Sequence, residues 1–224
     1  MTISTSVHSN AFNFMSFLQN GVDPRTGQYT VSITLPELKT NQLRGPGMRL
    51  TLSYNPLNNQ DSGYGLGWNL QLSQVAKNIV SLSSGETFQI TGTESGSSRL
   101  LMKEQKIVSF RLYRQDDTHY RLVHKSGLVE ILELRGSTGN QVALPVRILA
   151  PEGHGITLEY RAFNSTHQIL SSIKDDSGQP LLSLSREDFR VLIELPAAEG
   201  PPVPFVMNLA TGHRYATEIV LPTE

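Results

Sequence analysis

The 224-residue sequence contains no cysteine. That excludes disulfides, thiolate nucleophiles, cysteine-ligated zinc and iron–sulfur clusters. Long hydrophobic runs are also missing. The longest apolar stretches, such as Leu100-Leu101-Met102 and Val191-Leu192-Ile193, reach three residues, whereas a membrane-crossing helix needs about 20. No charge of one sign dominates: 19 basic and 20 acidic side chains leave a net charge of −1, unlike a chain that binds nucleic acid through its whole surface. Glycine (18) and proline (12) stay near ordinary usage, so collagen-like and low-complexity classes are excluded. The start, Met1-Thr2-Ile3-Ser4-Thr5-Ser6, lacks the basic cluster and apolar stretch of a secretory signal. Hydrophobic residues make up 38% of the chain, enough for a sizeable core.

What the sequence does have is a period of two. Tyr29, Val31, Ile33 and Leu35 alternate with polar residues, as do Met48, Leu50, Leu52 and Tyr54, and then Trp68, Leu70 and Leu72. The pattern returns at Phe88/Ile90, Val129/Ile131, Ile156/Leu158/Tyr160, Leu182/Leu184 and Val191/Ile193/Leu195. Successive strand side chains point to opposite faces, so each run has one apolar and one wet side. Turn residues punctuate the runs, among them Asp23-Pro24-Arg25-Thr26-Gly27, Gly45-Pro46-Gly47 and Asp175-Asp176-Ser177-Gly178. The expectation is an all-β fold: a curved antiparallel sheet of about 14 to 16 short strands joined by hairpins, arranged as a strip or a sandwich. One short helix is expected at Ala11–Gln19, capped by Ser9 or Asn10 and stopped by Gly21. Residues 1–26 form an N-terminal arm in this reading, and residues 27–224 a single β-rich domain.

Catalytic signatures are lacking. There is no G-x-S-x-G, no phosphate-cradling G-x-x-x-x-G-K-[ST] and no H-E-x-x-H. The run Gly63-Tyr64-Gly65-Leu66-Gly67 leads into a strand pattern, so no helix N-terminus is there to hold a phosphate. His119 and His124 are close in sequence, but their spacing puts them on opposite faces of one strand. Asp116/Asp117 and Asp175/Asp176 fall at expected turns, where Asp bonds nearby backbone N–H groups. Residues 99–125 carry seven basic and three acidic side chains interleaved with Phe110, Tyr113 and Tyr120. Outer strand faces and guarded sheet edges explain that stretch better than nucleic-acid stacking. The residues therefore point to a protein without enzymatic activity, cofactor or metal.

One stretch adds more. Asn13-Phe14-Met15-Ser16-Phe17-Leu18-Gln19-Asn20-Gly21-Val22-Asp23-Pro24-Arg25-Thr26-Gly27-Gln28-Tyr29-Thr30 precedes Leu35-Pro36-Glu37-Leu38. Gly45-Pro46-Gly47-Met48-Arg49-Leu50-Thr51-Leu52-Ser53-Tyr54-Asn55-Pro56 and Gly63-Tyr64-Gly65-Leu66-Gly67-Trp68 follow. Together these resemble the opening of bacterial RHS-repeat (YD-repeat) proteins of the polymorphic-toxin and insecticidal-toxin-complex type. Further on, Leu170-Ser171-Ser172-Ile173-Lys174-Asp175-Asp176-Ser177-Gly178-Gln179-Pro180-Leu181 is similar to a degenerate form of their repeat, although no Tyr-Asp dipeptide occurs.

The resemblance implies a strip of β-hairpins that spirals into a shell around a toxic domain. Its partners would be the remainder of such a shell or a cognate toxin or delivery protein. It also implies a bacterial cytoplasmic location before delivery by a signal-peptide-independent route. At 224 residues the chain is too short to enclose a cavity, so the expected role is that of a structural segment, or of a stand-alone relative acting through protein–protein contacts. Asp23, Pro24 and Gly27 are expected to set the turn into the first strand. Gly65, Gly67 and Trp68 are expected to form a buried anchor. The strands around Val203–Leu209 and Tyr215–Leu221 are expected to leave an edge open to self-association. The alternative is a carbohydrate-binding β-sandwich with Tyr54, Tyr64 and Trp68 as a stacking platform.

Overall fold

The computed structural model describes residues 17–22, 24, 26–197 and 199–222. They form 18 strands, all paired antiparallel, and one short 3-10 turn at Asn41–Leu43. The all-β expectation holds. The count exceeds the expected 14 to 16 because several strands are only three residues long and sit flush between turns. The expected helix over Ala11–Gln19 is tested only at its end. Ala11–Ser16 lie outside the described residues, and Leu18 and Gln19 are in a strand. That strand, β1 (Leu18–Val22), pairs with β2 (Tyr29–Thr34) in register Leu18↔Ile33. Backbone pairing overrides the helical apolar spacing there.

Strands β1 and β2 continue through β3 (Thr51–Tyr54) and β4 (Trp68–Leu70) as a four-stranded sheet. The next eight strands are β5 (Gln74–Ala76), β6 (Ile79–Ser81), β7 (Thr87–Thr93), β8 (Arg99–Met102), β9 (Phe110–Arg114), β10 (His119–His124), β11 (Val129–Arg135) and β12 (Val142–Leu149). Each pairs with its successor, and β12 returns to β5 through Val142↔Ala76 and Ala143↔Val75, so the eight close into a barrel. Closure removes the sheet edges that a flat strip would expose. Val80, Leu112, Leu122, Leu132 and Ala143 fill its interior without solvent exposure.

The second half of β12 stays paired with β11, while its other edge exchanges β5 for β13 (Gly155–Ala162) through Ile148↔Ile156. The sheet then runs outward through β14 (Gln168–Asp175), β15 (Pro180–Glu187), β16 (Arg190–Leu195), β17 (Val203–Leu209) and β18 (Ala216–Val220). Its inner face packs against β1–β4. The second core joins Ile33, Leu50, Leu52 and Trp68 on one sheet to Leu158, Ile173, Leu182, Ile193 and Phe205 on the other. Burying each such side chain contributes roughly 1.5–3 kcal/mol.

A bulge makes the shared strand work. Leu134, Leu132 and Glu130 on β11 oppose Ala143, Pro145 and Ile148 on β12, so one extra residue at Val146 intervenes. The bulge restores the phase. Ala143 faces the barrel core and Ile148, on the same face, enters the sandwich core. The face expected for β11 is inverted: Glu130 and Leu132 are buried, while Val129 and Ile131 are half-buried. A carboxylate points inward because polar partners await it there.

Two hairpins carry the same turn. Between β9 and β10, Asp116 Oδ1 accepts from Thr118 N–H at 2.8 Å, Thr118 Oγ1 at 2.9 Å and His119 N–H at 2.8 Å. Between β13 and β14, Asn164 Oδ1 accepts from Thr166 N–H at 2.9 Å, Thr166 Oγ1 at 3.0 Å and His167 N–H at 2.7 Å. The Thr118 backbone bond leads the interactions that hold the Asp116 carboxyl down to about 2. Asp175 plays a related part in the next hairpin, accepting from Ser177 and Gln179 N–H.

Candidate functional site

The loop between β3 and β4 turns on three glycines. Gly63, Gly65 and Gly67 adopt φ of +118°, +103° and +81°, conformations that residues with a Cβ avoid. A Cβ at Gly67 would also lie 2.7 Å from Tyr54 Cε2 and 2.9 Å from the Asn55 carbonyl oxygen. Asp61 fixes the loop from within, its Oδ1 accepting from Gly63 N–H at 2.9 Å and Gly65 N–H at 3.0 Å. Arg186 of β15 grips the same carboxylate through both terminal nitrogens, at 3.2 and 2.9 Å, and donates to the Gly63 carbonyl at 2.8 Å. Its guanidinium lies 5.0 Å from the Phe163 ring centroid. Burial pulls the Asp61 carboxyl upward, but the Arg186 and backbone hydrogen bonds outweigh it and hold the group below its ordinary value.

This loop delivers Trp68 into the sandwich core, where it is 4% exposed and its ring meets Tyr54 at 5.4 Å. Tyr64 is also buried. Its hydroxyl accepts from Leu170 N–H at 3.0 Å, and burial pushes its pKa up to about 12. Tyr54, Tyr64 and Trp68 therefore do not form an exposed stacking platform, because two of the three rings are inside the molecule. Gly27 takes φ +69° in the β1–β2 turn with open space around it, and Pro24 is exposed. Asp23 lies outside the described residues.

A polar node joins the two cores. Glu130 is 4% exposed, with cross-strand neighbours Leu122 in the barrel core and Ile148 in the sandwich core. Its Oε2 accepts from Ser73 Oγ at 2.8 Å and from His124 Nε2 at 2.7 Å, while Ser73 Oγ accepts from Ser83 N–H at 3.1 Å. Ser73 belongs to the connection from β4 to β5, so the node pins the sandwich-to-barrel link. Serine, histidine and a carboxylate meet here without hydrolytic geometry. Both Ser73 and His124 donate to the same Glu130 oxygen, so the histidine is not placed to take the serine proton.

A cleft of about 330 Å³ opens where barrel and sandwich meet. Arg135, at the end of β11, forms part of its wall, with the guanidinium 5.2 Å from the Tyr160 ring centroid and Nη2 3.7 Å from Glu133 Oε2. Arg135 Nε is sealed from solvent without a hydrogen-bond partner among the described residues. Tyr160 is anchored by donating to the Pro145 carbonyl at 2.6 Å, and burial raises its pKa well above the ordinary value. Gln60, Gln74 and Gln168 reach the cleft with carboxamides that make no hydrogen bond among the described residues. Asn69 uses only its carbonyl oxygen, accepting from Ser62. Leu70, Leu72, Val142 and Leu144 supply an apolar wall, and among the described residues no carboxylate lines the space.

Of these groups, the sequence reading singled out only Tyr64. Arg135, Gln74, Tyr160 and Gln168 come from four separate strands of the barrel and outer sheet, so no local motif announces them. No protein-family model matches the chain, and no curated protein sequence matches it.

Proposed function

We propose that the chain is a non-enzymatic structural segment that acts through protein–protein contacts, similar to the opening section of an RHS-type toxin-encapsulating shell. One observation carries the reading. From β12 to β18 the strands follow one another in strict hairpin order, and β18 is paired on one side only among the described residues. An antiparallel strip of this kind extends by adding the next hairpin to its open edge. Val220, on that edge strand, is 41% exposed. The segment Leu170–Leu181 that resembles the family's repeat spans most of β14 and its turn, with Asp175 and Gly178 (φ +80°) closing the turn. The partners this implies are the next part of such a shell, a cognate toxin or delivery protein, or a second copy of the chain through β18.

The test is light scattering over a concentration series of the full chain and of Val220→Lys, which puts a charge on the exposed edge without entering the core. Concentration-dependent association that the variant abolishes at unchanged stability is the expected result. A wild-type chain that stays monomeric and binds no added hairpin segment would sink the proposal.

A further inference from the structure

We propose that the outer face of the barrel, over β9 and β10, docks an acidic segment of a partner protein, one that carries aliphatic side chains among its carboxylates. The proposal rests on the reading of a chain that acts through protein–protein contacts, but its surface lies on the barrel and not on the β18 edge. Other cations are matched or out of reach. The hollow beside Arg161 and Arg214 is lined by Glu187 and Asp188 as well, and the unpaired nitrogen of Arg135 in the cleft is sealed from any ligand.

Leu112, Leu122 and Leu132 fill the barrel, so their neighbours along each strand point outward. Register sets that outer face in two rows. One runs Arg99, Tyr113, Arg121, Ile131 and Arg147 across β8 to β12. The other runs Arg111, Val123, Val129 and Leu149 across β9 to β12. Neither row holds a carboxylate. Arg99 reaches Glu94 at 3.6 Å and Arg147 reaches Asp176, so both ends of the first row are neutralised. Glu133, further along β11, faces Arg135 and His119 at 3.7 and 3.9 Å. Arg111, Arg121 and Lys125 are exposed, and none has a hydrogen-bond or ion-pair partner among the described residues. A depression of about 340 Å³ opens beside Val108, Arg111, Val123 and Lys125, and among the described residues no carboxylate lines it.

Charges on a strand commonly guard a sheet edge, but β9 and β10 are paired on both sides and have no edge to guard. Their unmatched cations therefore call for carboxylates from outside. Arg111 and Arg121 are diagonal neighbours across the β9–β10 pair, a separation of about 7–8 Å. Alternate residues of an extended chain lie roughly 6.6 Å apart, so two carboxylates so spaced on one segment reach both. The residues between the cations select the class of partner. Val123, Val129 and Ile131 are half-buried, and aliphatic side chains give a nucleic acid neither a phosphate contact nor a stacking face. Arginine and tyrosine beside aliphatic side chains are instead the composition of a protein–protein contact.

Fluorescence anisotropy of the full chain with a short dye-labelled peptide of Glu-Ser-Val repeats tests the proposal. A Lys-Ser-Val peptide and a DNA oligonucleotide matching the acidic peptide in charge serve as comparisons. The acidic peptide should bind and the basic one should not, and raised salt should weaken the binding by screening. Arg111→Gln combined with Arg121→Gln should lower the affinity about tenfold, with Trp68 emission unchanged to report an intact fold. Val123→Ser should weaken the acidic peptide as well. Val220→Lys should bind it as the wild type does, so that failure here and failure of the β18 contact are read separately. The proposal falls if the acidic peptide does not bind more tightly than the basic one, or if the double variant or Val123→Ser keeps wild-type affinity. Loss of the peptide in Val220→Lys would move the site off the barrel and so overturn it. DNA outcompeting the acidic peptide overturns it in favour of a nucleic-acid face.

Discussion

Asp61→Asn isolates the ion pair that holds the glycine loop. The change keeps an acceptor for Gly63 and Gly65 N–H but removes the charge facing Arg186, whose side chain is 4% exposed. A buried cation left without its counter-ion costs about 3–5 kcal/mol. The loss should appear at neutral pH as a lower urea midpoint at constant m-value, followed through Trp68 emission, since Trp68 directly follows the loop. Asp61→Asn combined with Arg186→Met should be less damaging than Asp61→Asn alone, because removing both charges removes the desolvation penalty as well. The pH dependence has a defined sign. The folded-state Asp61 carboxyl is held below its ordinary value, so its stabilisation is fully present above the unfolded pKa of about 3.9. It is lost as pH falls through the lower folded value. Asp61→Asn should flatten the stability curve in that acid window. A loss under about 1 kcal/mol, or a double variant worse than the sum of the singles, would refute the assignment of Arg186 as a buried, charge-dependent anchor.

Trp68→Ala should cost about 3–5 kcal/mol as a large-to-small change in the sandwich core, and wild-type emission should be blue-shifted and resistant to quenching. Red-shifted, readily quenched emission would contradict the burial of this ring. Glu130→Leu should cost about 1–3 kcal/mol by leaving the Ser73 and His124 donors unpaired. Because Glu130 sits between the two cores, denaturation probes placed in barrel and sandwich should shift together. A shift confined to one of them would show that the node does not couple the cores.

The period-two pattern was enough to read an all-β chain, because burial on one face is a local property of each strand. The strands over Tyr29–Thr34, Leu182/Leu184 and Val191–Leu195 appear where alternation placed them. The architecture escaped because it is non-local. Barrel closure depends on Val75 meeting Ala143 across most of the barrel's sequence, and nothing in either neighbourhood encodes that pairing. The inverted face of β11 escaped for a related reason: Glu130 is tolerated inside only because Ser73 and His124 reach it, and Ser73 lies far back in the chain.

One signal was present and went unread. Tyr113-Arg114 precedes Asp116-Asp117-Thr118-His119, and Tyr160-Arg161 precedes Asn164-Ser165-Thr166-His167. In both copies the Asp or Asn oxygen binds the same three donors, and Thr Oγ1 lies 2.9 Å from the histidine Nδ1. The shared turn marks one hairpin used twice, once as barrel wall and once in the outer sheet. The turn is therefore not what separates the two fates. The separation arises at β12, where the bulge at Val146 keeps the inner face in phase while the strand passes from the β5 side to β13. That passage also creates the cleft, because it carries Tyr160 of the outer sheet alongside Arg135 of the barrel. The site is thus a product of the junction between two β-units, which is why its residues share no spacing that a reader of the sequence could have followed.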